Sequence, residues 1–323
     1  MHHNKKSHPI HHFDITKATS PLKILEEFSK MNVFGGGKLG RAFDILTLAK
    51  SEGAKIFLSL AGAMVPGGMR KVITDAMRNG LVDMLVTTGA NITHDLIEAF
   101  GHPHLVNVQY KNDAELRDKG IDRVYDSFVD AEGFPNLEDH LQKLVMEYFE
   151  ENNKEGFLHT SSNEFMKWLG SKIQDPNSIV KIAYELNIPI YIPVIADSVL
   201  GLQIWLKSQF HKIIFDEMRD LTSIQDFYNE AEKACAFMIG GGVPKNYMLQ
   251  SSLMSSKEYQ YGVAITMDRV ETGGLSGATL EEAVSWGKFT WEAPKETVYC
   301  DATIALPLIV GAWAEFDKSQ SKL

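Results

Sequence analysis

A lysine that acts as a nucleophile near neutral pH must first lose its proton, and burial beside apolar groups is the usual means. One stretch near the carboxyl end of this chain has the composition for such chemistry, Glu281-Glu282-Ala283-Val284-Ser285-Trp286-Gly287-Lys288. Thr279 reads as a helix N-cap, with Glu282 three residues later in the spacing of a capping box. On a continuing helix Glu281, Val284 and Lys288 share one face. A lysine that closes a helix can simply satisfy its last carbonyls and the helix dipole. Desolvated by Trp286, the same amine could attack an electrophilic carbon.

Glycine-rich segments form the second set of candidates. Gly62 to Gly68, Thr87-Thr88-Gly89-Ala90-Asn91 and Gly240-Gly241-Gly242 each follow an apolar run and precede a helical one. Phe34-Gly35-Gly36-Gly37-Lys38-Leu39-Gly40 lacks the Gly-Lys-Ser/Thr ending of a phosphate-binding loop. It reads as a flexible helix entry that could lie near a ligand.

The elements that must position these residues follow a strand–turn–helix grammar. Ile56 to Leu60 is a continuous apolar strand, as in a sheet buried on both faces. Val82 to Val86, Ile188 to Val194, Lys212 to Asp216, Ala236 to Ile239, Tyr261 to Met267 and Thr297 to Cys300 continue the series, with helices between. The pattern predicts a doubly wound, mostly parallel sheet, with ligands outside the carboxyl ends of its strands. The strict GxGxxG fingerprint is absent. Residues 103–180 read as a helical insertion, and Ile304 to Phe316 as a closing helix.

Composition narrows the function classes. The 323 residues are 44% hydrophobic and 23% charged, ordinary for a globular chain with a sizeable core. The formal net charge of −10 and the lack of a basic stripe argue against nucleic acid. Cys235 and Cys300 are the only cysteines, each in an apolar run, which suits reduced thiols in a cytoplasmic protein and no metal site. No apolar run reaches the ~18 residues of a membrane span. Residues 1–12 hold five of the eleven histidines, His2, His3, His8, His11 and His12, and residues 1–20 read as a mobile arm ahead of a single domain over 21–323.

At Gly240-Gly241-Gly242-Val243-Pro244-Lys245 and Glu282-Ala283-Val284-Ser285-Trp286-Gly287-Lys288 the chain closely resembles the deoxyhypusine synthase family. The likeness runs from about Phe34 to Phe316 and includes Val86-Thr87-Thr88-Gly89-Ala90, Asn187-Ile188-Pro189 with Asp197, and Val298-Tyr299-Cys300-Asp301-Ala302. It implies a Rossmann-like α/β fold, a homotetramer and NAD as cofactor. It further implies a reaction that is redox-neutral overall: NAD takes a hydride from an amine donor, the lysine matching Lys288 holds the aminobutyl chain as an imine, and an acceptor amine receives it. By the same resemblance Gly62, Ala63, Met64, Val65 and Pro66 match the first cofactor turn, and Thr88, Gly89 and Ala90 the second. Asp197, Thr266, Asp301 and Ala302 match further cofactor contacts, and His94, Gly241, Asn246, Glu282 and Trp286 fall at substrate positions.

The departures shape the expected substrate. Deoxyhypusine-forming members carry two glutamates where this chain has Thr93-His94, an aspartate at Leu202, a histidine at Asn246 and an aspartate at Leu275. The expected activity is therefore alkylamine transfer between small amines through Lys288, with deoxyhypusine formation on a protein acceptor not expected. The alternatives are a homospermidine-type synthase and an NAD-binding regulatory or structural protein without turnover.

Overall fold

The computed structural model describes residues 9–255 and 257–320. Ten strands are present among them: β1 Lys55–Leu60, β2 Met84–Thr87, β3 Asp122–Val124, β4 Ser127–Val129, β5 Phe157–Thr160, β6 Ile190–Tyr191, β7 Lys212–Phe215, β8 Ala234–Ile239, β9 Tyr261–Thr266 and β10 Lys295–Tyr299. Six form one sheet in the order β10-β9-β8-β1-β2-β6, and every pairing in it is parallel. The chain builds outward from β1 in one direction through β2 and β6, and in the other through β8, β9 and β10. That is the doubly wound order, and the direction reverses between β1 and β8.

Burial explains why these segments pair. β8 is buried along its whole length and β1 at all but Lys55, so both central strands need apolar side chains on both faces. One core layer packs Leu46, Ile56, Leu58, Val263 and Trp313 on one face of the sheet. The other packs Phe57, Ala236, Met238, Tyr259 and Phe289.

Three expectations are corrected. The Lys212–Phe215 strand does not join the main sheet; it pairs in parallel with Phe157–Thr160. Its own pattern is half exposed, which suits a two-stranded edge and not a buried centre. The strand expected over Ile188 to Val194 is only Ile190–Tyr191. The helix after β2 starts at Gly89, because Thr88 caps it by accepting the Asn91 N–H. The glycine run at 35–40 lies inside a helix, Phe34–Ser51, and is no loose entry. A Cβ on Gly40 would stand 2.2 Å from the Ser29 amide nitrogen, and one on Gly37 2.5 Å from the Asn32 carbonyl carbon. These glycines let this helix press against Pro21–Met31.

The expected boundary at residue 20 falls on Ser20, the N-cap of that first helix. Residues 9–20 form no helix or strand, but the Phe13 ring lies 5.2 Å from that of Phe28 and His11 Nε2 lies 3.1 Å from Glu27 Oε2. His2, His3 and His8 lie outside the described residues. Among the described residues no helix is long and apolar enough to cross a membrane.

Candidate active site

Lys288 does not sit on a helix. The helix Leu280–Ser285 begins with Thr279 accepting the Glu282 N–H at 3.1 Å. It ends in a left-handed Gly287 at φ 69°. The Gly287 N–H donates to the Val284 carbonyl at 2.9 Å, and the Lys288 N–H to the Ala283 carbonyl at 3.1 Å. This pair of bonds is a Schellman cap, and it turns the chain so that Glu281, Val284 and Lys288 share no helical face. Beyond the cap, the Lys288 carbonyl accepts the Tyr259 N–H at 3.0 Å. The lysine backbone is thus held on both sides.

The side chain of Lys288 enters a cavity of about 250 Å³ lined by Lys245, Asn246, Leu275, Glu282 and Trp286, among others. Lys288 is buried, and its Nζ lies 3.4 Å from Asn246 Oδ1. Burial pulls the amine below the usual lysine range, and the Glu282 carboxylate opposes the shift. Trp286 is not the group that buries it: the indole is 64% exposed and stands at the mouth. The desolvating walls are the helix Gly242–Ser251 on one side and Leu280–Ser285 on the other.

A second lysine shares this cavity, and the sequence pattern assigned it no role. Lys245 is 4% exposed, and its Nζ donates to the Ala278 carbonyl at 2.6 Å. Burial pushes it down to about 8; Glu282 resists that and Lys288 adds to it. The signal was its spacing: Met248 and Leu249, three and four residues on, are buried on the same helical face.

A neighbouring cavity of about 390 Å³ opens where the sheet reverses direction, between the turns after β1 and β8. It gathers Gly62, Thr88, Asp197 and Gly241 from the expected set, with Thr87, Asp268 and Ser276 added. The Ser276 hydroxyl donates to the Asp268 carboxylate. Gly240 and Gly242 both have positive φ, at 70° and 59°. The helix Gly242–Ser251 joins the two cavities: Gly242, Val243 and Pro244 line this one, Lys245 and Asn246 the other.

Other expected residues lie outside both linings. Val65 and Pro66 are buried beneath the first turn, Val65 in the core, and the Met64 N–H donates to Asn91 Oδ1. Ala63 is exposed in that turn and Ala90 in the first turn of its helix. Gly89 is where the chain closes on Ser198, whose Oγ would stand 2.3 Å from an added Cβ. Thr266 Oγ1 accepts the Asp268 N–H, and Asp301 Oδ1 accepts the Thr303 N–H ahead of the last helix, which begins at Ala302. Thr266 ends β9, which neighbours β8, and Asp301 follows β10, the edge strand on the far side of β9.

His94 is not brought to Lys288 within this chain. Its Nδ1 lies 2.9 Å from His104 Nε2, and His104 Nδ1 lies 2.7 Å from Glu98 Oε1. Arg70 extends the network to Glu98, Asp95 and Asp175. Burial, and next the neighbouring His104, hold His94 down at about 4. Thr93 is buried and accepts the Leu200 N–H, while Leu202 is exposed on another helix.

A parallel sheet in doubly wound order, with glycine-rich turns at its reversal point beside a buried amine, defines a Rossmann-like α/β protein with a lysine-centred site. The chain belongs to the deoxyhypusine synthase family, whose family model matches residues 23–313. It is 45% identical to "Probable deoxyhypusine synthase 1" of Methanosarcina acetivorans, over 94% of each chain. It is 39% identical to the protein of the same description from Archaeoglobus fulgidus, over 92% of this chain and 94% of that one. A crystal structure described as "a putative deoxyhypusine synthase from Entamoeba histolytica" shares the fold at a TM-score of 0.62, with 18% identity over 94% of this chain and 96% of that one.

Proposed function

We propose that this protein is an NAD-dependent transferase that moves an aminobutyl-type group from an amine donor to an amine acceptor through Lys288. The observation that carries this reading is the buried Lys288 amine, facing Asn246 and Glu282 one helical turn from the cavity at the sheet reversal. The residues of that cavity fit the dinucleotide. Gly240–Gly242 brings bare backbone and the start of a helix to it, and a Cβ on Gly241 would meet the Ser276 Cα at 2.1 Å. Asp197 is exposed at the rim, where a carboxylate accepts ribose hydroxyls.

When bound, NAD supplies the hydride acceptor and later the donor. The chain's own part is to hold the amine carbon and exchange it. Lys288, uncharged, forms a carbon–nitrogen bond to the oxidised donor, and the donor's leaving amine departs as the bond to it breaks. Glu282 pairs with an ammonium of the substrate, and Trp286 covers the mouth.

The lost carboxylates support a small amine acceptor over a protein lysine. Burying an unpaired ammonium costs several kcal/mol, and among the described residues this cavity offers Glu282 as its one carboxylate against two lysines. A homotetramer in the cytoplasm completes the reading. The test is borohydride trapping with NAD and a panel of amines, read by peptide mass. The expected result is a mass gain on Lys288 with a small amine donor. No gain with any amine, in a chain shown to bind NAD, would count against the transfer mechanism. Efficient deoxyhypusine formation on a protein acceptor would overturn the substrate reading.

A further inference from the structure

A lysine amine rides on a flexible four-carbon stem, and one left free to swing would seldom point at a bound carbon. The Lys288 backbone is fixed by the cap at Gly287 and by Tyr259. Among the described residues its Nζ has one hydrogen-bond partner, Asn246 Oδ1 at 3.4 Å. Glu282 lines the same cavity without forming an ion pair to it. Asn246 is half-buried on the helix Gly242–Ser251, in a turn anchored on both sides. Before it, Lys245 Nζ donates to the Ala278 carbonyl at 2.6 Å; after it, Met248 and Leu249 are buried in the core. We propose that Asn246 is a positioning residue for Lys288: its amide oxygen holds the amine in the cavity from a fixed helix turn and adds no charge.

This rests on Lys288 as the reacting amine and adds what aims it. A carboxylate at the same spot would also hold the amine, but as an ammonium, which cannot attack a carbon. A carboxamide oxygen accepts the N–H at any pH and leaves the lone pair of the uncharged amine free. Two influences move Lys288 between its forms: burial favours the uncharged amine, and Glu282 opposes it. Asn246 takes no part in that balance, so burial sets the charge while the amide sets the direction. The charged side chains sharing the cavity are Glu282, from the helix Leu280–Ser285, and Lys245, from the helix that carries Asn246.

The test is reductive alkylation of Lys288 by a four-carbon aldehyde with cyanoborohydride, followed against pH by peptide mass in the full-length chain. The uncharged amine adds to the aldehyde carbonyl, water leaves as the imine forms, and the reagent's hydride with a proton from water reduces it. Neither NAD nor turnover is involved, so the outcome stands apart from the transfer mechanism. Asn246→Asp keeps the shape and places a carboxylate beside the amine. The Lys288 midpoint should rise by about one unit, slowing alkylation roughly tenfold at a fixed pH below it. Asn246→Leu keeps the bulk and removes the acceptor. Its midpoint should not rise, while the plateau rate above it should fall several-fold; Asn246→Ala carries the same expectation should Asn246→Leu not fold. An unmoved midpoint in Asn246→Asp would overturn the contact. A plateau rate equal to the parent's in the variant without the acceptor would overturn the positioning role.

Discussion

Gly241 and Ser276 approach so closely that a Cβ on the glycine would stand 2.1 Å from the serine Cα. This contact is the wall between the two cavities. Gly241 and Ser276 face the cavity at the sheet reversal, while Leu275 and Ala278, on either side of the serine, face Lys288. Gly241→Ala must push the 275–278 segment away from the helix start. Strain of this kind costs roughly 1–3 kcal/mol. The expected outcome is weaker NAD binding by calorimetry together with a lower melting temperature. Unchanged affinity would show that this wall does not shape the cofactor site.

Gly287 makes a second, separate prediction. Its φ of 69° suits glycine, and any other residue there pays roughly 1–2 kcal/mol for a left-handed backbone. Nothing crowds the position: the nearest atom to an added Cβ is Glu258 Oε1 at 3.8 Å. Gly287→Ala should therefore fold, lose about that much stability, and loosen the cap that delivers Lys288. Borohydride trapping on Lys288 should fall more than NAD binding does. Equal trapping in the variant and the parent would mean that Tyr259 alone holds the lysine backbone.

The same glycine shows where the sequence stops being legible. Thr279 and Glu282 mark the helix start correctly, because capping is a local matter of side-chain chemistry. The helix end depends on a φ value that Gly287 permits but does not announce, so Lys288 reads as one more helical residue. β1 and β8 were legible as long apolar runs with buried centres. The partner of Lys212–Phe215 was not, since a strand's pattern does not name the neighbour it pairs with. Trp286 was misjudged for a related reason: an apolar side chain next to a turn can point either way, and here it faces out. Lys245 was hidden by its type, because a lysine on a buried helical face looks like an error until its carbonyl partner is seen.

The paired histidines predict a pH dependence of stability. His94 in the folded protein is held down at about 4, below its ordinary 6.5, chiefly by burial and next by His104. Between those values the unfolded chain binds the proton and the folded one does not. Stability from this group is thus complete above about 6.5 and is lost as pH falls toward 4. The loss should be on the order of 2 kcal/mol. In His94→Gln the melting temperature should fall less between pH 7 and pH 4.5 than in the parent. An identical slope would place the titration elsewhere.

Charge at Leu275 gives the last prediction. This residue lines the Lys288 cavity and is about half exposed, and the family resemblance puts an aspartate there in deoxyhypusine-forming members. Among the described residues the cavity holds one carboxylate, Glu282, with Lys245 and Lys288. A triamine entering it would leave at least one ammonium unpaired, which is why small or singly charged amines are expected to compete well. Leu275→Asp supplies a second carboxylate in the same lining and leaves Lys288 and the helix-capping residues unchanged. Solvent screens a half-exposed pair, so the gain should be on the order of 1 kcal/mol, roughly fivefold in spermidine affinity. The affinity for a singly charged amine should change less, because Glu282 already pairs it. Titration of the NAD-loaded parent and variant with spermidine and with a monoamine separates the two effects. If the parent binds spermidine tightly and Leu275→Asp adds nothing, the acids that hold the triamine lie elsewhere, and the small-amine reading fails with them.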